Sequence, residues 1–87
     1  MVHIFFIYAA DCTHCKEVLN NLENAISNCK KIDCKLHKMH YDTKEAITLA
    51  INRGINDLPG VVIGNSVFVK SCSEKELNEA IKKAAKN

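Results

Sequence analysis

The sequence lacks any apolar run long enough to span a membrane. Its longest, Ile4–Ala10, holds seven residues, whereas a membrane-spanning helix needs about 20. Neither a positively charged segment nor a small-residue cleavage site accompanies this run, so it does not resemble a secretory signal peptide. We therefore expect a cytoplasmic protein with no membrane partner.

Further absences limit the kinds of partner and the architecture. The net charge is only +2 and the lysines are scattered, so the sequence predicts no basic face for nucleic acid. No glycine-rich nucleotide-binding motif occurs, which excludes a directly bound nicotinamide cofactor. Internal repeats, low-complexity stretches and long linkers are also missing. The 87 residues predict one domain, 1–87, with a modest core, and we expect it to be a monomer.

Cysteine is the unusual residue that is present. The chain contains five cysteines, which are Cys12, Cys15, Cys29, Cys34 and Cys72. An odd number without an export signal argues against a framework of structural disulfides. In a reducing compartment such residues are buried hydrophobes, metal ligands or redox groups.

In the first half of the chain, the apolar pattern predicts a strand, a helix and a second strand. Val2–Tyr8 is continuous, β-branched and aromatic, which is typical of a central strand covered on both faces. Cys15–Asn28 has apolar residues at three- and four-residue spacings, which predicts a helix with Cys15 on its buried side. Cys12 precedes the first turn and is expected to face outward. Leu36–Tyr41 gives a weaker prediction of a strand.

The next segment has the form of a helix with both ends marked. Asp42, followed by an acid at Glu45, resembles a helix start, and Arg53-Gly54 resembles a cationic last turn with a glycine stop. Four apolar residues are expected to form its buried stripe: Ala46, Ile47, Ala50 and Ile51.

The remaining chain predicts a hairpin and a last helix. Val61–Ile63 and Ser66–Val69 are short β-rich runs joined by Gly64-Asn65. Ser73–Glu76 has the spacing of a capping box, and an apolar stripe follows it. The order βαβαββα predicts an α/β fold: a four-stranded mixed sheet with helices on both faces and the first strand in an interior position.

The Cys12-Thr13-His14-Cys15 segment carries the chemistry, because a helix N-terminus bears partial positive charge and unpaired N–H groups. Both stabilise a thiolate, the form of cysteine that attacks disulfides. Cys12 is therefore predicted to be the attacking nucleophile and the buried Cys15 to resolve the mixed disulfide. His14 is either a plain exposed loop histidine or a group that favours the ionised, reduced form of its neighbour. The charge of Asp11 opposes that form, so the net effect of the two stays open.

These motifs resemble the thioredoxin-fold family: a strand, a Cys-x-x-Cys at a helix start, and a later Leu58-Pro59 before a hairpin. The resemblance covers nearly the whole chain, whose length is closer to glutaredoxins and minimal thioredoxin-like proteins. It implies a cis Pro59 opposite the cysteines, a Leu58 backbone that contacts an extended substrate, and a substrate contact at Thr13. It further implies thiol–disulfide exchange with protein disulfides, after which a reductase or a small thiol returns the protein to its dithiol form. The cysteine pair is expected to need no further cofactor.

The chain departs from the family pattern at several positions. Phe6 stands where thioredoxins carry a buried acid, and Asp11 replaces the aromatic residue before the first cysteine. Val69–Ser73 lacks the Gly-Gly with which glutaredoxins help to hold glutathione, so glutathione is not expected to be a dedicated partner. His14 resembles the residue at that place in protein disulfide isomerases. The direction of electron flow therefore stays open.

Rival interpretations concern the other cysteines. Zinc binding by Cys12, Cys15, Cys29 and Cys34 is disfavoured, because a helix from 13 to 29 separates the first from the third by about 25 Å. A metal or cluster shared between two chains through Cys12, a Cys29–Cys34 disulfide and an extra thiol at Cys72 remain alternatives. Two alternatives also remain for the function of the whole chain: a redox-inactive binding module, and a glutaredoxin-type protein that uses glutathione or an iron–sulfur cluster. We expect Cys29 to pack in the core, Cys34 to lie in a polar connection and Cys72 to be inert.

Overall fold

The computed structural model describes residues 1–86 and has the predicted βαβαββα order. The elements are β1 (Val2–Tyr8), α1 (Cys15–Asn28), β2 (Cys34–His40), α2 (Lys44–Arg53), β3 (Gly60–Ile63), β4 (Ser66–Val69) and α3 (Glu74–Ala85).

The four strands form one mixed sheet in the order β2-β1-β3-β4. β1 pairs in parallel with β2 over seven residues and antiparallel with β3, which in turn pairs antiparallel with β4. The predicted interior position of the first strand is confirmed. Because β3 runs against β1, the end of β1 lies beside the start of β3, and Ile7 is the register partner of Gly60.

The main core lies between one face of the sheet and the pair α1 and α3. Alternate residues of β1 point to this face, where Val2, Ile4 and Phe6 pack with the buried stripes of both helices. Leu22 from α1 and Ile81 from α3 are fully buried there. The apolar spacing in the sequence predicts these two stripes, and the structure confirms them.

The prediction that the apolar stripe of α2 is buried is wrong for most of its residues. Ala46 is buried, but Ala50 is only partly so, and the side chains of Ile47 and Ile51 are 49% and 75% exposed. Among residues 1–86, α2 is the only helix on the second face of the sheet, whereas α1 and α3 pack against each other on the first. The isoleucine stripe therefore has no facing helix to cover it.

Element boundaries differ from the prediction at two places around β2. The strand begins at Cys34, within the expected polar connection, because all seven residues of β1 find register partners from Cys34 to His40. The cap of α2 is Thr43 and not Asp42: the Thr43 hydroxyl accepts from the Ala46 N–H, and Asp42 pairs with His40 instead.

The start of α3 agrees with the sequence. The Ser73 hydroxyl accepts from the Glu76 N–H at 3.2 Å, and the Glu76 carboxylate accepts from the Ser73 N–H at 3.0 Å. This reciprocal pair is the predicted capping box, which satisfies two otherwise unpaired backbone donors.

Candidate functional site

The loop between β1 and α1 places the cysteine pair at the edge of the sheet where β1 ends. β1 ends at Tyr8, and the Cys12 N–H closes the following turn by donating to the Ala9 carbonyl at 3.3 Å. α1 begins at Cys15. The neighbouring β3 starts at Gly60. The segment that precedes Gly60 therefore lies at the same end of the sheet as the cysteines.

Cys12 and Cys15 are joined by a disulfide, with their Cα atoms 5.4 Å apart. The Cys15 side chain belongs to the buried core and is only 7% exposed, whereas Cys12 is partly exposed. The inward placement predicted for Cys15 is confirmed; Cys12 is the more exposed of the two, but it is partly buried and also packs against the core. An incoming sulfur therefore has better access to Cys12 than to Cys15.

The Cys12 sulfur occupies the place of a helix cap. The residue at the N-cap of α1, His14, makes no side-chain cap hydrogen bond. Instead, the Cys15 N–H donates to Cys12 Sγ at 3.1 Å, with the three-residue spacing of a capping side chain. Asp11, whose charge opposes a thiolate at Cys12, lies exposed in the preceding turn. The first amide of the helix is thus aimed at the sulfur that is expected to carry a negative charge.

The Leu58–Pro59 peptide bond is cis, as the family resemblance implies. Pro59 is buried, and its carbonyl accepts from the Lys70 N–H at 2.9 Å. The Leu58 N–H donates to the Asp57 carboxylate at 2.8 Å. The Leu58 N–H is therefore already paired with a side chain of the same loop. On the cysteine loop, Thr13 and His14 are both exposed.

The remaining cysteines are free thiols, of which Cys29 and Cys72 are buried and Cys34 is half-buried. Cys29 is buried, and its Sγ donates to Asn78 Oδ1 at 3.8 Å, which agrees with a packing role. Cys34 is half-buried in β2 and not in a polar connection; burial raises the pKa of its thiol, and the charges of Cys29 and Asp33 raise it further. Burial, and then the nearby Glu76 carboxylate, raise the pKa of Cys72 to about 11.

We expect Cys72 to resist alkylation in the folded protein. At pH 8 a thiol of pKa about 11 is about 0.1% thiolate, roughly a hundredfold less than a thiol at the ordinary value of 9.0. The oxidised protein is treated with iodoacetamide, so that the disulfide protects Cys12 and Cys15, and modified sites are located by mass spectrometry. Cys34 is expected to react before Cys72, and preferential labelling of Cys72 would contradict this order.

A cavity beside the disulfide includes residues that the sequence analysis missed. It has a volume of about 390 Å³, and both cysteines line it together with Tyr8, Lys16 and Lys38. Lys38 arrives there because it is the register partner of Phe6 on the neighbouring strand. Phe6 itself is 2% exposed and fills the core, so the place where thioredoxins carry an acid holds an aromatic ring here. Only the parallel register of β1 and β2 shows that Lys38 lies beside Phe6, and this register cannot be read from the sequence of either strand alone.

Residues 1–86 hold neither a cluster of three or more side chains suited to a metal ion nor a helix suited to a membrane. No group of three or more His, Cys, Asp or Glu side chains is arranged to hold a metal ion in this part of the chain. None of the helices described there combines the length and apolarity needed to cross a membrane.

Comparison with known proteins identifies the fold. No family model matches the chain, and no curated protein sequence matches it either. Among solved structures, an uncharacterised thioredoxin-like protein from Clostridium perfringens superposes with a TM-score of 0.77 at 16% identity, over 97% of this chain and 71% of that one. A malarial protein gives 0.74 at 20% identity, over 97% of each chain. Chloroplastic thioredoxin z gives 0.73 at 19% identity, over 100% of this chain and 80% of that one. The chain therefore has the thioredoxin fold.

Proposed function

We propose that this protein is a thiol–disulfide oxidoreductase that acts on protein disulfides through a Cys12/Cys15 dithiol–disulfide cycle. The observation that carries the proposal is the placement of Cys12 Sγ at the head of α1, where it accepts the Cys15 N–H at 3.1 Å. The same amide and the helix dipole favour a thiolate on Cys12 once the disulfide is reduced. A redox-inactive binding module has no need of this arrangement.

The reaction proceeds in two exchanges. The Cys12 thiolate attacks one sulfur of the target disulfide, the target S–S bond breaks, and the released target sulfur leaves as a thiolate. Cys15 then loses its proton and attacks Cys12 Sγ, which breaks the mixed disulfide and releases the second target sulfur. Two electrons pass to the target, and the Cys12–Cys15 disulfide seen in the structure is the oxidised product.

The other predicted site residues have supporting roles in this proposal. Leu58 and Pro59 lie at the cysteine end of the sheet, where an extended target segment can lie alongside Leu58. The exposed Thr13 borders the approach to Cys12, and His14 stabilises the Cys12 thiolate electrostatically. We propose that the protein works as a monomeric domain in the cytoplasm without a bound cofactor. A reductase or a small thiol returns it to the dithiol form.

Insulin reduction tests the proposal. With dithiothreitol as the electron donor, the protein should accelerate precipitation of the insulin B chain at least about fivefold over dithiothreitol alone, because a preorganised thiolate attacks faster than a free thiol of ordinary pKa. The protein with both cysteines alkylated after reduction is the control. A rate no higher than that of dithiothreitol alone would reject a disulfide reductase.

A further inference from the structure

Two of the four histidines meet on the face of the sheet that carries α2. His3 and Phe5 are two residues apart on β1 and therefore point to the same face, and His37 of β2 is the register partner of Phe5. Nδ1 of His3 lies 3.0 Å from Nε2 of His37 at the protein surface. Pairing of the strands thus brings together two imidazole nitrogens, which are the commonest metal-ligating groups in proteins.

Aromatic stacking fixes the position of the His37 ring. Its centroid lies 4.8 Å from that of the Phe5 ring, with 16° between the two planes. The centroid of the His3 ring is 5.3 Å away, with 25° between the planes. The two nitrogens are therefore held near each other before a ligand arrives, which lowers the conformational entropy that binding must overcome.

The separation of the two nitrogens selects a class of metal ion. With metal–nitrogen bonds of about 2.0–2.1 Å, nitrogens 3.0 Å apart subtend an angle of about 95° at the ion. A tetrahedral zinc site has angles of about 109° and hence needs a separation near 3.3 Å. Right angles between neighbouring nitrogen ligands occur in the tetragonal sites that are typical of Cu²⁺ and Ni²⁺.

Two neighbouring groups bear on cation binding at this pair. Lys35 is the register partner of His3 and is exposed, so its long stem can carry the ammonium group into water. The Val2 N–H donates to the Asp33 carbonyl at 2.8 Å. The amide that precedes His3 is therefore engaged in the sheet, which leaves His37 as the second ligand.

We propose that His3 and His37 bind one divalent transition-metal ion that accepts nitrogen ligands at right angles, Cu²⁺ or Ni²⁺. Nδ1 of His3 and Nε2 of His37 ligate the ion, the proton shared between them passes to solvent, and water fills the other positions. Such a site has two protein ligands, fewer than the clusters of three or more that are missing from residues 1–86. It does not rest on the proposed function, because His3 lies near the start of β1 and the cysteine loop follows its end.

Calorimetric titration of the oxidised protein with Ni²⁺ near pH 7.5 tests the site. Ni²⁺ is the probe because Cu²⁺ oxidises free thiols. The disulfide withholds Cys12 and Cys15 from the ion, and the other thiols are buried or half-buried. We expect one ion per chain. His3→Gln and His37→Gln should each weaken Ni²⁺ binding at least about tenfold, because either change turns attachment at two points into attachment at one.

The matched control is His40→Gln. His40 also has a potential ligand beside it, the carboxylate of Asp42, but it lies at the other end of β2. This variant should keep its Ni²⁺ affinity within about twofold of the wild type. Circular dichroism checks that all three variants are folded. A titration with Zn²⁺ should show weaker binding to the wild type than Ni²⁺ does, because the nitrogens are too close for tetrahedral angles.

Nuclear magnetic resonance of the wild-type protein locates the ion without any substitution. Paramagnetic Ni²⁺ should broaden the ring-proton signals of His3 and His37 at lower concentrations than those of His14 and His40. Absence of binding would mean that the two nitrogens form a hydrogen bond only, and the proposal would be overturned. Equal weakening by His40→Gln, weakening by His3→Gln but not by His37→Gln, earlier broadening at His14 or His40, or tighter binding of Zn²⁺ would each overturn it as well.

Discussion

Replacing Cys12 with serine is expected to reduce insulin reduction to the rate of dithiothreitol alone, a loss of essentially the whole catalysed rate. Cys12 is the more accessible sulfur of the pair, and its Sγ receives the Cys15 N–H at the start of α1. A serine hydroxyl can occupy the same cap position, so the helix should be retained. The hydroxyl cannot form or exchange a disulfide, and no thiolate is left at the exposed end of the helix.

The matched control for this substitution is Cys34→Ser. Cys34 is a free, half-buried thiol in β2, and its pKa is raised by burial, so it is a poor nucleophile. This variant should retain more than half of the wild-type rate. Circular dichroism of both variants checks that they are folded. Substantial activity in Cys12→Ser would mean that another thiol performs the attack, and the assignment of Cys12 as nucleophile would be wrong.

The cysteine site could be predicted from the sequence because its signals are local. The apolar run of β1 and the stripe of α1 are each readable within one segment, and their junction fixes which cysteine faces outward. The cis Leu58–Pro59 bond was available only through the family resemblance. Local spacing alone does not place this segment beside the cysteines; the antiparallel pairing of Ile7 with Gly60 does.

What the sequence could not provide depends on contacts between distant segments. In the sequence Cys34 resembles part of a polar loop, but in the structure it pairs with Val2 of β1. Lys38 is one lysine among several until its register beside Phe6 brings it to the cavity at the cysteines. Asp42 has the form of a helix cap, but a neighbouring histidine competes for its carboxylate and Thr43 performs the capping.

The dependence on distant contacts also explains why the apolar stripes of α2 and α3 differ in burial. Ile51 in α2 and Ile81 in α3 occupy equivalent positions in their apolar patterns, so the sequence predicts that both are buried. In the structure Ile81 is 0% exposed and Ile51 is 75% exposed. A helical stripe shows which side of the helix is apolar, but burial requires a partner surface. α3 packs against both α1 and the sheet, whereas the outer stripe of α2 has no facing helix within residues 1–86.

Substitution of each isoleucine by alanine should therefore have very different costs. Ile81→Ala removes a fully buried side chain from the core and leaves a cavity, so it should lower the free energy of unfolding by about 2–5 kcal/mol. That loss is a large fraction of the roughly 5–15 kcal/mol typical of a domain. Ile51→Ala removes only exposed surface and should change the same quantity by less than about 0.5 kcal/mol.

Guanidinium unfolding followed by far-ultraviolet circular dichroism measures both variants, since the chain contains no tryptophan to report by fluorescence. The protein is kept reduced, so that the Cys12–Cys15 disulfide does not contribute to the stability of any sample. Ile81→Ala should lower the midpoint without changing the slope, because the surface exposed on unfolding is nearly the same. A comparable loss in Ile51→Ala would show that its side chain is covered, and the packing of α2 described above would be wrong.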